Sequence, residues 1–160
     1  MVIDIHAHPL LFDEINGNPE DLQFRKQQFG VFKSGINPID FELTLLADAQ
    51  IDKVVLLPED YSSESGRAIV SNDEMVRIVA RSPEHFIGFA SVDPRCDNAR
   101  EELIRAFDLL KLAGLKLNLS RLHMYPDDPC LTPLYEVCQE RNKHAEFDWL
   151  QQCTNILLLI

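Results

Sequence analysis

Short apolar runs alternate along this chain with longer stretches in which apolar residues recur at helical spacing. Four runs read as strands: Val2 to His6, Lys53 to Leu57, His85 to Ala90 and Leu115 to Leu119. Each is followed by a helical pattern. The first helix is expected from the Asn37-Pro38 start to about Gln50, since proline suits the first helical position. The second carries a capping box, Ser71-x-x-Glu74, and stops before Pro83. The third runs from about Asn98 to Ala113, with Leu103, Phe107 and Leu110 on one face and Gly114 as its terminating residue. The fourth begins near Thr132-Pro133. Parallel neighbours need a crossover, which a helix supplies, so the repeat predicts a parallel sheet of the α/β class.

The polar positions refine that architecture. The first strand alternates Asp4, His6 and His8 against Ile3 and Ile5, and the fourth alternates Lys116 and Asn118 against Leu115, Leu117 and Leu119. One polar face in both strands favours a (β/α)8 barrel, whose interior takes the polar set and whose strand C-terminal ends form the active site. An open doubly wound sheet is the alternative, but no Gly-x-Gly-x-x-Gly follows the first strand. Residues 10–37 form a long insertion, and Phe12, Phe24, Phe29 and Phe32 within it are expected either to roof the site or to cover the barrel rim.

His6 and His8 are the first candidate chemistry. Residues i and i+2 of a strand share a face, so the two imidazoles converge where the strand hands over to a loop at Pro9. Borderline divalent metals, zinc above all, favour neutral imidazole nitrogen.

Composition narrows the partners. The 160 residues suit a single domain, and 26 acidic against 15 basic side chains give a net charge of −11, which repels phosphate backbones and anionic membranes. A nucleic-acid or membrane partner is therefore not expected. Four cysteines, Cys96, Cys130, Cys138 and Cys153, form no Cys-x-x-Cys pair and read as reduced thiols of a cytoplasmic protein. The N-terminus lacks a basic-then-apolar leader, and the longest purely apolar run, Ile156 to Ile160, is far below the roughly 20 residues of a membrane span.

The combination of Ile3-Asp4-x-His6-x-His8, Asp52-Lys53-Val54-Val55-Leu56-Leu57-Pro58, Phe86-Ile87-Gly88-Phe89-Ala90-Ser91-Val92-Asp93-Pro94-Arg95 and Gly114-Leu115-Lys116-Leu117-Asn118, followed by Tyr125-Pro126-Asp127-Asp128 and Leu134-Tyr135, resembles the amidohydrolase superfamily. The branch is the amidohydrolase-related one that includes aminocarboxymuconate-semialdehyde decarboxylase-like enzymes, and the likeness covers residues 1–142. It implies a distorted (β/α)8 barrel holding one divalent metal, usually zinc, with His6 and His8 as strand-1 ligands. It also implies a further histidine from strand 5, a catalytic histidine from strand 6 and an aspartate from strand 8. Members hydrolyse amides, esters or lactones, or decarboxylate aromatic or unsaturated acids, so the small-molecule substrate is expected to be a carbonyl compound or a carboxylic acid. Lys116 occupies the strand on which binuclear members carry a carboxylated lysine; an ion pair with Asp4 is its other reading.

The pattern breaks after Asn142. A strand ending in histidine near position 148 should follow, but the chain reads Lys143-His144-Ala145-Glu146-Phe147-Asp148-Trp149, and Ala145, Trp149, Cys153, Ile156 and Ile160 recur at helical spacing. Within one domain spanning 1–160, residues 143–160 are thus expected to be an atypical helical tail, produced by a frameshift or truncation or belonging to a natural short form. On this reading only four strands and two ligands are present, and the bare strand edges predict self-association into a homo-oligomer.

Other candidates lie at the strand ends. His123 could complete the ligand set or act as general acid and base, against its reading as a solvated loop residue. Asn118 and Arg121 could hold a substrate carboxylate. Asp4 and Lys116 are placed behind the metal or as possible ligands of it. Glu59, Asp60 and Asp93 are expected to be solvated loop carboxylates, and His85 to sit at the wrong barrel end. Three functions remain: a hydrolase using metal-activated water, a metal-dependent carboxy-lyase, and an inactive remnant that binds or oligomerises.

Overall fold

The structure, a computed structural model, describes residues 1–148. Five parallel strands alternate with helices: β1 (Ile3–Ala7), α1 (Pro19–Phe29), α2 (Ile39–Asp48), β2 (Lys53–Leu56), α3 (Ser62–Ser65), α4 (Asn72–Arg81), β3 (Phe86–Gly88), α5 (Ala99–Asp108), β4 (Gly114–Asn118), α6 (Leu119–Leu122), α7 (Thr132–Glu140) and β5 (His144–Asp148). β2 pairs with β1 on one side and β3 on the other, Val54 standing opposite both Asp4 and Phe86. Beyond β3 the chain makes a parallel bridge, Ala90 to Leu115, with Ala90 N donating to Gly114 O and Lys116 N to Ala90 O, both at 2.7 Å. β5 closes the series against β4.

The strands therefore stand in chain order, as in a barrel, with no reversal of the kind that makes a doubly wound sheet. The sheet also curls. His6 on β1 reaches Glu146 on β5 at 2.8 Å although three strands lie between them, which only an inward-facing polar set on a rolled sheet allows. The apolar core lies on the other face, where Leu56, Phe86, Leu115 and Leu117 meet Ile78 of α4 and Leu103 of α5.

The local signals act as expected at α4. Glu74 N donates to Ser71 Oγ and Ser71 N to Glu74 Oε2, satisfying two helix-end donors. Inside the insertion, α1 was signalled by Asn18-Pro19 and Gly30: Asn18 Oδ1 accepts from Glu20 N at 3.0 Å, proline takes the first helical position, and Gly30 ends the helix at φ 66°. The weakly apolar run between these caps concealed it. The four phenylalanines part company. Phe12 is buried against Phe86, Phe24 lies under Arg67, Phe32 is 66% exposed, and Phe29 alone of the four lines the cavity described below.

Two expectations are corrected. α5 ends at Asp108, not near Ala113, and the left-handed residue of its exit is Lys111, at φ 61°. Gly114 serves a different purpose, as the first residue of β4. A Cβ there would lie 2.8 Å from the His144 carbonyl oxygen and 2.6 Å from the Phe89 ring, so only glycine lets β5 and Phe89 approach. Gly114→Ala is expected to destabilise by about 1–3 kcal/mol, visible as a lower urea midpoint, whereas Gly17→Ala, with nothing within 4 Å, should leave the midpoint nearly unchanged.

The second correction concerns the tail. α7 stops at Glu140, Asn142 takes φ 52°, and residues 144–148 form a strand, not a helix. The open edge of β4 supplies a full ladder, from Gly114 opposite His144 to Asn118 opposite Asp148, and that pairing outweighs the helical period. Phe147 then packs edge-on against Tyr135 at 5.8 Å. The part of the proposed helical face from Trp149 to Ile160 lies outside the described residues. No helix among the described residues is long and apolar enough to cross a membrane.

Candidate metal centre and cavity

His6 sits near the C-terminal end of β1 and His8 just beyond it, their Nε2 atoms 3.1 Å apart. Each ring is fixed from behind. His6 Nδ1 donates to Glu146 Oε1 at 2.8 Å and His8 Nδ1 to the Leu57 carbonyl at 3.0 Å; these acceptors place the ring proton on Nδ1. When both rings are neutral, their Nε2 lone pairs are left facing one another. Burial lowers the pKa of His8, with Glu59 pulling it back up, so this ring favours its neutral, metal-binding form.

Asp148 brings a carboxylate to the same place. Its Oδ1 lies 3.9 Å from His6 Nε2, and ligand atoms of His6, His8 and Asp148 all fall within 4.8 Å of one another. The β4–β5 register explains it: Lys116 stands opposite Glu146 and Asn118 opposite Asp148, so the polar residues of both strands enter the interior at matching levels. Lys116, fully buried, places Nζ 2.7 Å from Asp148 Oδ1 and 3.6 Å from Glu146 Oε1, an ion pair whose angles are not those of a hydrogen bond.

Facing lone pairs at 3.1 Å repel, and an adjacent carboxylate adds negative potential. Two imidazoles and one carboxylate, each held by a second partner, are a donor set that a divalent cation fits.

Asp4 does not join this group. It is exposed and its Oδ1 accepts from the His6 amide at 3.0 Å. The β1–β2 register slips between Asp4 and Ala7, so the period of two is not carried from Asp4 to His6, and Lys116 takes Asp148 and Glu146 as counter-ions in its place.

A cavity of about 780 Å³ opens over His8 and Asp148, walled by Phe29, Glu59, Tyr61, Asn118, Arg121 and His123 among others. Asn118 spends its amide on the protein: Nδ2 donates to Glu59 Oε1, while Oδ1 accepts from Ser120 Oγ and Arg121 N and so caps α6. Arg121 is also engaged. Its Nη1 donates to the Tyr61 hydroxyl, Nη2 to the Gln28 carbonyl, and Nε faces Glu59 Oε2 at 3.7 Å, with the Phe29 and Tyr61 ring centroids 4.7 and 5.1 Å from the guanidinium carbon. His123, at φ 52°, presents an imidazole with no hydrogen bond to any described residue.

Glu59 and Asp93 are buried, contrary to the solvated reading. Glu59, 2% exposed, pairs with Asn118 and Arg121, and Asp93 braces α3 by accepting from Ser63 N and Oγ. Asp60 is half-buried, its carboxyl pushed up by burial. His85 bonds Ser82 ahead of β3, away from the centre. Among the residues that escaped the sequence are Asp148 and Glu146, whose i, i+2 spacing repeats that of Lys116 and Asn118, and Tyr61, for which no local pattern exists.

The family model described as Amidohydrolase matches residues 3–152. A 2-amino-3-carboxymuconate-6-semialdehyde decarboxylase of Dictyostelium discoideum is 31% identical over 70 residues, 43% of this chain and 20% of the relative. A 2,6-dihydroxybenzoate decarboxylase complexed with 2,6-dihydroxybenzoate superposes with a TM-score of 0.65 at 19% identity, over 90% of this chain and 49% of that one. A 5-carboxyvanillate decarboxylase from Novosphingobium aromaticivorans with bound manganese gives 0.54 at 20% identity, over 65% and 32%. These likenesses place the fold among the TIM barrels, of which the described residues form about half. The chain spans about half the length, or less, of the structures it matches.

Proposed function

Since the chain belongs to the amidohydrolase family, we propose that His6, His8 and Asp148 hold one divalent metal ion and that the cavity above them takes a small carboxylic acid for decarboxylation. The observation that carries this reading is the pair of Nε2 lone pairs at 3.1 Å, both Nδ1 atoms being already committed. Asp148 is the residue at the position where the family resemblance led us to expect a strand-5 histidine, so a carboxylate takes that histidine's part in the proposed set.

When bound, such an ion acts as a Lewis acid on a substrate oxygen. The chain's own groups do the rest. Glu146 and the Leu57 carbonyl keep both rings in the tautomer that offers Nε2, and Lys116 offsets the charge of Asp148. His123, which lines the cavity, carries a proton on this reading, to the carbon that loses carboxylate or to a leaving group in hydrolysis. Decarboxylation is favoured over the hydrolase reading because a decarboxylase is the sequence relative at 31% identity; release of carbon dioxide from the substrate separates the two.

The test is metal content per chain on purified protein, wild type beside His6→Ala/His8→Ala and Asp148→Ala. About one divalent ion per chain, lost in both variants, is expected, and its identity distinguishes zinc from manganese. A metal-free wild type that takes up no ion on addition of either would sink the proposal and favour the inactive remnant.

A further inference from the structure

We propose that Tyr61 is the hydrogen-bond donor that receives the carboxylate of a ligand in the cavity, with Arg121 acting behind it as a positioning residue. The inference deepens, and rests on, the reading of the cavity as a carboxylic-acid site. The sequence suggests Arg121 for this task, but the guanidinium is already spent: Nη1 on the Tyr61 oxygen, Nη2 on the Gln28 carbonyl, Nε toward Glu59. A bidentate grip on a ligand would require it to abandon two of these.

Tyr61 has the opposite balance. The residue is 4% exposed yet lines the cavity, and its hydroxyl oxygen accepts from Arg121 while its own proton finds no acceptor among the described residues. A buried hydroxyl with an unused donor costs stability unless something receives it. A guanidinium donating to the phenol oxygen polarises the O–H bond and strengthens its donation, most of all to an anionic oxygen. Burial pushes the phenol up to about 12, so the proton stays in place at neutral pH.

The acidic residues of the wall do not oppose an anion as strongly as their number suggests. Glu59 faces Arg121, Glu64 pairs with Arg95 at 2.6 Å and Asp148 with Lys116 at 2.7 Å, so each is offset by a cation. Phe29, lying between Arg121 and His8, offers a flat apolar face for the body of the ligand.

Benzoate and benzamide, alike in shape and different in charge, are the probes, titrated calorimetrically into the wild-type chain and into Tyr61→Phe, which keeps the ring. Wild type should bind benzoate more tightly than benzamide, and Tyr61→Phe should weaken benzoate by at least about tenfold and erase its advantage, with an unfolding midpoint and metal content like those of wild type. Equal benzoate affinity in the two proteins overturns the proposal, as does a wild type that binds no benzoate; loss on Arg121→Gln with Tyr61→Phe unaffected would move the contact to Arg121. Metal content measured in the same samples separates this result from the metal reading, since Tyr61→Phe leaves His6, His8 and Asp148 intact.

Discussion

Arg25→Met is expected to lower the unfolding midpoint by on the order of 10 °C, the largest effect of any single substitution we anticipate outside the centre. Arg25 is 3% exposed and ties the insertion to the body: Nε donates to the Ile69 carbonyl, Nη1 to the Ile15 carbonyl and Asn16 Oδ1, and Nη2 to Glu74 Oε1 at 2.6 Å. Methionine keeps much of the volume but strands two buried carbonyls and leaves Glu74 without its close counter-ion. Removing one partner of a buried pair costs about 3–5 kcal/mol, and a chain of this size loses roughly 2–4 °C per kcal/mol. Arg25→Lys should recover only part, because an ammonium cannot reproduce three divergent donors. Thermal denaturation of the three proteins checks the order; a midpoint for Arg25→Met within about 2 °C of wild type would show that α1 is held by other contacts.

Lys116→Met should have two effects of opposite sign. In chelator it should destabilise by several kcal/mol, since Asp148 and Glu146 lose the buried cation that stands 2.7 and 3.6 Å from them. With a divalent ion present much of that loss should return, because the ion offsets the same carboxylates and binds only the folded chain. The gap between midpoints with metal and with chelator should therefore be wider than in wild type. An unchanged gap would mean that Lys116 and the metal do not share Asp148. The same substitution should leave Gly114 and the β4–β5 ladder intact, so it probes the interior charge separately from the strand contact.

His6-x-His8 was legible because strand periodicity is local: two residues suffice to place two rings together where β1 ends at Ala7. The capping box at Ser71 and Glu74 and the Thr132-Pro133 start were legible for the same reason, whereas Pro38, expected at the first helical position, is the N-cap of α2, which starts at Ile39. Asp4 shows the limit of that logic, because one slip of register between Asp4 and Ala7 breaks the alternation without any mark in composition. Glu59 and Asp93 show another: a carboxylate's burial depends on partners such as Asn118, Arg121 and Ser63, and no rule about loops anticipates them.

The tail shows how a long-range partner decides a local conformation. Residues 144–148 lie within a helical repeat, yet the free edge of β4 offers backbone hydrogen bonds that an isolated segment lacks, and the strand forms. The alternation of strand and helix, most helix starts and the convergence of His6 with His8 are local properties, since each depends on residues within a few positions. That Asp148 joins them, that Lys116 answers Asp148 and Glu146 and not Asp4, and that Arg121 turns its donors on Tyr61 and Gln28 depend on how the chain packs. Those contacts span 30 to 142 positions, and the rolled sheet and the register of β5 on β4 bring them within reach.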